Sequence, residues 1–276
     1  MLLAVIMTMA LFALPVFAAD DENLEDMPTT VDETATASEP APAMPEIKKA
    51  ESTYFGVVDI WADYTTISFS RVNDLLGSIG AYPNGAVTKM SGGYALGVDL
   101  GFTPVKGLPL DFGLRVELIG TGQGKYSGDI GSLASTIYTI DSSLIPVMAG
   151  ASYNFEIPET PVSISAEIHA GYSFAKASVV NDSKALGVGD KITEPYSGSA
   201  FACDLGMTIN YQLNEPASVG LNLGYRLADV TSVSADSDIA NTTIKKGDTL
   251  KNPSSGSVVP FDFSGFNAGV KVDMKY

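Results

Sequence analysis

The sequence predicts an all-β protein: an eight-stranded antiparallel transmembrane β-barrel, an up-and-down meander preceded by a disordered acidic segment. Three observations predict it. Eight stretches alternate large apolar residues with small or polar ones at period two, the pattern of a strand with one greasy face. The connections between them alternate long and short. Charged residues make up only 17% of the chain, against the ~25% of ordinary soluble domains, while Gly (27), Tyr (12) and Phe (12) are abundant.

Charge and residue counts exclude several function classes. Lys and Arg number 16 against 32 Asp and Glu, a formal charge of −16, whereas a nucleic-acid binder needs clustered cations. The single Cys203 permits no internal disulfide and no thiolate zinc cluster, and the single His169 no multi-histidine metal site. No cofactor and no metal are expected.

The N-terminus sets the compartment. Leu2 to Ala19 is apolar apart from Thr8 and Pro15 and closes on Val16-Phe17-Ala18-Ala19, so residues 1–18 read as a secretory signal peptide without the usual basic start. Residues 19–51 are different material. Ten acids from Asp20 to Glu51 face only Lys48 and Lys49, with Pro28, Pro40, Pro42 and Pro45 among Thr and Ala. Such a segment cannot bury enough apolar surface to offset its ordering entropy, so it reads as a disordered tether holding half of the net charge.

Residues 52–276 carry the strands. In the first, Tyr54, Gly56, Val58, Ile60, Ala62 and Tyr64 face one way and Val57, Asp59, Trp61 and Asp63 the other. The second sets Tyr94, Leu96, Val98, Leu100 and Phe102 against Gly93, Ala95, Gly97, Asp99 and Gly101; the third sets Leu110, Phe112, Leu114, Val116 and Leu118 against Asp111, Gly113, Arg115 and Glu117. The fourth reads Val147, Ala149, Ala151, Tyr153, Phe155 against Met148, Gly150, Ser152, Asn154. The fifth reads Ile164, Ala166, Ile168, Ala170, Tyr172, Phe174 against Ser165, Glu167, His169, Gly171, Ser173. The sixth has Phe201, Cys203, Leu205, Met207, Ile209 and Tyr211 on the apolar side, with Asp204, Thr208 and Asn210 opposite; the seventh has Val219, Leu221, Leu223, Tyr225 and Leu227, with Asn222 and Arg226 opposite. The last sets Phe266, Ala268, Val270, Val272, Met274 and Tyr276 against Asn267, Gly269, Lys271 and Asp273.

The polar faces decide between barrel types. A soluble sandwich or a lipocalin-like barrel would show water long Lys and Glu side chains, yet these faces are mostly Gly, Ala, Ser and Asn, which suit a crowded narrow lumen. The apolar faces end in aromatics, as membrane barrels do at each water interface. The expected girdle is Tyr54, Tyr64, Tyr94, Phe102, Tyr153, Phe155, Tyr172, Phe174, Phe201, Tyr211, Phe266 and Tyr276. Each strand reaches the ~9–11 residues of a tilted crossing.

Connection lengths give an independent test. The links at 65–92, 120–144, 175–198 and 230–261 are long, and those at 104–109, 156–161 and 212–218 are short. Short periplasmic turns and long outer loops are the rule in outer-membrane barrels. The expected location is the outer membrane of a diderm bacterium, with both termini periplasmic and the long loops extracellular.

The stretch Ile145-Pro146-Val147-Met148-Ala149-Gly150-Ala151-Ser152-Tyr153-Asn154-Phe155, and the ending from Gly265 to a terminal Tyr276, resemble the small outer-membrane β-barrel family of the OmpX and OmpA-barrel type. The resemblance implies that Phe266, Ala268, Val270, Val272, Met274 and Tyr276 form the signal read by the barrel assembly machinery. It implies outer-membrane lipid as the surroundings, with lipopolysaccharide within reach, and does not specify a surface ligand.

The lumen phase collects Asp59, Asp99, Asp111, Arg115, Glu117, Glu167, His169, Asp204, Arg226, Lys271 and Asp273. Buried charges must pair, because an isolated one is costly. Even hairpin arms would put His169 opposite Asp204, and flush closing strands would pair Tyr54 with Tyr276 and Asp59 with Lys271.

Catalysis has one concrete form here: Ser173 attacking a lipid ester with His169 as base. No serine sits in a nucleophile elbow, and a lone lumen His fits a charge network, so no enzyme is expected. Gly120-Thr121-Gly122-Gln123-Gly124-Lys125 lacks the Ser or Thr and the helix of a phosphate cradle and reads as a flexible loop, while Asp236-Ser237-Asp238 lacks the rest of a calcium loop. Val72, Leu75, Leu76 and Ile79 follow helical spacing and would cap the mouth or rest on lipid head groups. Lys245, Lys246 and Lys251 in the last loop would reach lipopolysaccharide or a partner. The functions in view are a structural or surface-interaction barrel with a filled lumen, a small passive channel, or a lipid acyl hydrolase.

Overall fold

The computed structural model describes residues 56–79, 84–103, 109–131, 133–186, 188–240 and 242–276. The expected signal peptide, the acidic tether and Tyr54 lie outside the described residues. Eight strands form the ring: β1 (Gly56–Thr65), β3 (Gly93–Phe102), β4 (Leu110–Thr121), β6 (Ala134–Glu156), β7 (Val162–Ala185), β8 (Val188–Asn214), β9 (Ala217–Val230) and β12 (Gly265–Lys275). Each pairs antiparallel with its sequence neighbour in the ring, and β12 pairs with β1, so the sheet closes. Closure leaves no backbone edge facing lipid. Among the described residues no helix is long and apolar enough to cross a membrane.

The shorter elements belong to the loops. They are α1 (Ser70–Ser78), β2 (Ala86–Thr88), β5 (Gly124–Asp129), β10 (Ser234–Ala235) and β11 (Phe261–Asp262). All lie at one end of the ring, the loop end. The turns between β6 and β7 and between β8 and β9, Gly56 and Tyr276 lie at the other, the turn end.

Alternation along each strand sorts the side chains as period two requires. On β3 the pattern is strict: Ala95, Gly97 and Asp99 face inward, while Tyr94, Leu96, Val98, Leu100 and Phe102 are exposed on the outer wall. The outer wall is aliphatic at mid-height and aromatic at both rims. Tyr64, Tyr94, Tyr172, Phe174, Phe201 and Phe266 stand at the loop-end rim, and Phe102, Tyr153, Phe155, Tyr211 and Tyr276 at the turn-end rim. Tyr225 joins the first ring, edge-on to Phe266 at 4.8 Å, and Phe112 joins the second beside Phe102 at 6.2 Å. Both lie in the apolar phase of their strands and add to the expected girdle.

Two expectations are corrected. The segments 120–144 and 175–198, read as loops, are largely strand: β6, β7 and β8 run for 23, 24 and 27 residues. Their upper parts rise as a wall roughly 30 Å beyond the rim, at ~3.3 Å per residue. The outer face of this wall is mostly Ser, Thr, Asp and Lys, and its inner face mixes the buried Ile140, Leu144, Val179 and Tyr196 with Thr136 and Ser142, so it lacks the outward apolar stripe that marks the lower strands. Likewise the glycine-rich stretch at 120–125 is no free loop, since β4 ends at Thr121 and β5 begins at Gly124.

The closing register is the second correction. Gly56, not Tyr54, exchanges backbone hydrogen bonds with Tyr276, at 3.2 and 3.0 Å, and Asp59 lies opposite Asp273 while Trp61 lies opposite Lys271. The seam is slipped by two residues from flush ends. An even slip keeps every side chain on its face, so the lumen phase survives.

Candidate functional site

The interior has two zones, and the site is their junction. The turn-end zone is polar. Arg115 on β4 is its hub: Nε meets Asp99 Oδ2 at 3.2 Å, Nη2 meets Glu167 Oε2 at 2.5 Å and Nη1 meets Asp204 Oδ1 at 3.5 Å. Arg226, fully buried on β9, extends the chain with Glu117 at 2.5 Å and Asp204 at 3.7 Å. Lys271 on β12 extends it the other way, to Glu167 at 2.5 Å, Asp59 at 3.0 Å and Asp273 at 3.7 Å.

Strand geometry explains why these groups meet. They sit on the inward phase of seven strands at similar height, β4 and β12 supplying two each, so the closed ring aims them at one axis. The guanidinium of Arg115 also lies 4.6 Å above the Trp61 ring, a cation–π contact that fixes its plane. Small residues make the room. A Cβ on Gly97 would fall 2.0 Å from the Trp61 ring, and one on Gly150 would fall 2.3 Å from the His169 ring. Gly97 and Gly150 are therefore the seats of the Trp61 and His169 rings of neighbouring strands.

Ten of the eleven expected lumen charges belong to this one network. Asp111 does not: it lies nearer the turn end, where it accepts hydrogen bonds from Thr103 Oγ1 and, at 2.7 Å, from Asn154 Nδ2. His169 stands opposite Asp204 in the β7–β8 register, yet its Nε2 pairs with Asp99 at 2.9 Å. Asp59 and Lys271 pair although the register is slipped, because the diagonal across the slipped seam is within reach of a lysine.

Asp63 joins the buried acids beyond the eleven lumen charges expected. It is buried in the inward phase of β1 and accepts a 2.8 Å hydrogen bond from Asn222 Nδ2. Period two alone would have included it. With Asp63, seven buried carboxylates face Arg115, Arg226, Lys271 and the imidazole of His169. The cavity beside Asp59, Asp99, Glu167 and His169 measures about 10 Å³, hardly room for one water.

The loop-end zone is apolar. Ile119, Ile140, Leu144, Met148, Val179 and Val230 line the inside of the wall here. Val72, Leu75 and Leu76, the buried face of α1, close over them, joined by Phe69, Phe261 and Phe263. Nine residues make too short a helix to persist alone, so packing holds it. Each buried aliphatic side chain contributes about 1.5–3 kcal/mol relative to exposure. The amide of Asn73 fastens α1 to the chain before β3: Nδ2 donates to the Met90 carbonyl at 3.0 Å and Oδ1 accepts from the Met90 N–H at 2.8 Å. Of the two placements expected for this helix, the structure has it capping the mouth.

The catalytic arrangement is not assembled. Ser173 Oγ donates to the Ala200 carbonyl at 3.0 Å, and His169 Nε2 is held by Asp99. Cys203 faces the outer wall, largely covered by its neighbours. In the last loop, Lys245 Nζ lies 3.6 Å from Asp238, the Lys246 N–H donates to the same carboxylate at 2.9 Å, and Asp236 accepts from Ser197 Oγ at 2.5 Å. Lys251 is fixed by a backbone bridge to Val258.

No family model matches the chain, and no curated relative matches it. Similar solved structures include neisserial surface protein A, at 12% identity and a TM-score of 0.40, covering 80% of this chain and 97% of that one. The outer membrane protein OprG of Pseudomonas aeruginosa is similar at 12% identity and 0.37, covering 81% and 97%. The outer membrane protease OmpT of Escherichia coli is similar at 10% identity and 0.39, covering 80% and 97%. Likenesses at this level say nothing of activity.

Proposed function

We propose that this chain is an outer-membrane barrel with a sealed lumen, serving as a structural or surface-interaction protein through its loop end. The observation that carries the reading is the double closure of the interior. Salt-bridged side chains fill the turn-end half, and an apolar plug made by α1 and the last loop fills the other. Eight strands enclose a space just wide enough for side chains, and here the side chains occupy it. A small passive channel would need both zones to open, and nothing in the geometry favours that.

Orientation follows from the loops. The turn end, with both chain ends, faces the periplasm; the wall of β5 to β8 and the last loop face outward. The last strand, with Phe266, Ala268, Val270, Val272, Met274 and Tyr276 on its lipid side, serves as the signal for the assembly machinery. Lipid is the partner of the aromatic-rimmed belt, and the lysines of the last loop lie where lipopolysaccharide would be met. Labelling tests the orientation: in a Cys203→Ala background, an impermeant maleimide should modify Lys184→Cys in intact cells and leave Glu215→Cys, exposed in the turn between β8 and β9, unlabelled. The opposite pattern would refute it.

A further inference from the structure

A pocket of about 180 Å³ lies at the mouth, between the exposed face of α1 and the last loop, lined by Arg71, Asp74, Asn252, Ser255, Ser257, Val258 and Val259. It is built rather than accidental. Ser78 Oγ shares its one proton between the Leu75 carbonyl at 2.8 Å and Asn252 Oδ1 at 3.1 Å, and Ser254 Oγ donates to the Ser78 carbonyl at 3.3 Å, so the loop is held against the end of the helix. Within the loop, Gly256 N–H donates to the Asn252 carbonyl at 2.7 Å and the Lys251–Val258 bridge closes its base. Both walls are thus held independently of any ligand.

Arg71 and Asp74 set the chemistry. They stand three residues apart, neighbours on the exposed face of the helix, where both are open to solvent, no hydrogen bond or ion pair joins them, and among the described residues neither has a polar partner. Asn252 commits its Oδ1 to Ser78 and to the Ser254 N–H, which leaves its amide NH₂ for the pocket. The Ser255 and Ser257 hydroxyls, 2.6 Å apart, face the same space. One cation and one anion, each without a mate, line a space smaller than the ~300 Å³ of ordinary ligand pockets.

We infer that this pocket binds a small zwitterion, a molecule carrying an ammonium and an anionic oxygen group a few bonds apart. Arg71 takes the anionic oxygens with its guanidinium fork, Asp74 takes the ammonium, and Val258 with Val259 covers the carbon between. A neutral sugar of that size would meet the hydroxyls but would leave both charges without a counter-charge. The chemistry fits a free amino acid and an aminoethyl phosphate head group alike.

Calorimetric titration of the full-length barrel in detergent separates the sources. L-alanine and O-phosphoethanolamine are the probes, with ethanolamine, inorganic phosphate and glucose as controls. At least one probe should bind, more tightly than any control, and the tighter of the two identifies the source. Arg71→Gln and Asp74→Asn should each weaken it at least about tenfold, the worth of one charge-assisted hydrogen bond. Val258→Trp fills the pocket from an exposed position without touching either charge and should abolish binding even if a charge variant fails to fold. Absence of binding by both probes, equal binding of any control, or unchanged affinity in Arg71→Gln or Val258→Trp overturns the inference.

Discussion

His169 and Asp99 meet across the lumen, Nε2 to Oδ2 at 2.9 Å, although β7 and β3 are separated in the ring by β6 and β4. Their contact is tertiary, made possible only by closure of the sheet. It ties the one imidazole to the carboxylate that also accepts from Arg115, so the histidine is a member of an ion network and is not poised as a base toward Ser173.

Phospholipid acyl release by the purified barrel should stay at background, with His169→Ala indistinguishable from the parent. Activity in the parent that disappears in the variant would reinstate the lipid-hydrolase reading.

Removing the hub should be costly. Arg115→Ala leaves Asp99, Glu167 and Asp204 buried beside one fewer cation, and breaking a buried pair costs about 3–5 kcal/mol. A urea titration read by the gel shift between folded and unfolded barrel should show that loss. Lys245→Ala, which removes an exposed pair with Asp238, should change stability by less than about 0.5 kcal/mol.

Gly97 tests the seating of the network. A methyl group there must displace the Trp61 ring, and overpacking of this kind costs about 1–3 kcal/mol. Because Trp61 is the chain's single tryptophan, Gly97→Ala should also shift its emission. An unchanged spectrum and midpoint would mean that the ring does not lie on Gly97.

The wall beyond the rim has its own pH dependence. Burial raises the Glu194 carboxyl above its usual range, opposed in part by the Tyr196 hydroxyl that donates to it at 2.9 Å. A raised folded-state value means that the contribution to stability is fully present below the ordinary Glu range and is lost as pH rises through the folded value. Glu194→Gln should therefore flatten the pH dependence of protease resistance at the loop end. A steeper fall with rising pH in the variant would contradict the assignment.

Much of this was legible because lumen and lipid impose opposite demands on alternate residues. Asp99, Arg115, Glu117, Glu167, Asp204 and Lys271 could be assigned to one interior from phase alone, and α1 from the spacing of Val72, Leu75 and Leu76. Their partners could not. Hairpin register offers His169 only its neighbour Asp204, whereas the bond to Asp99 depends on which strands face each other across the closed ring. The extensions of β6 to β8 carry no such signal, because their outer face is polar and their inner face mixes Ile140, Leu144 and Val179 with Thr136 and Ser142. The closing register carries none either, because backbone pairing between β1 and β12 is set by the shear of the whole barrel, which no local pattern reports.

The seal is the central claim, and planar-bilayer recording of the purified full-length barrel tests it most directly. Charged side chains at the turn end and the Val72, Leu75 and Leu76 plug at the loop end predict a silent bilayer at moderate voltage, and silence should persist in Leu75→Ser because the ion network still fills the other half. Stable unitary current steps from the unmodified protein would contradict the sealed lumen and establish the channel reading in its place.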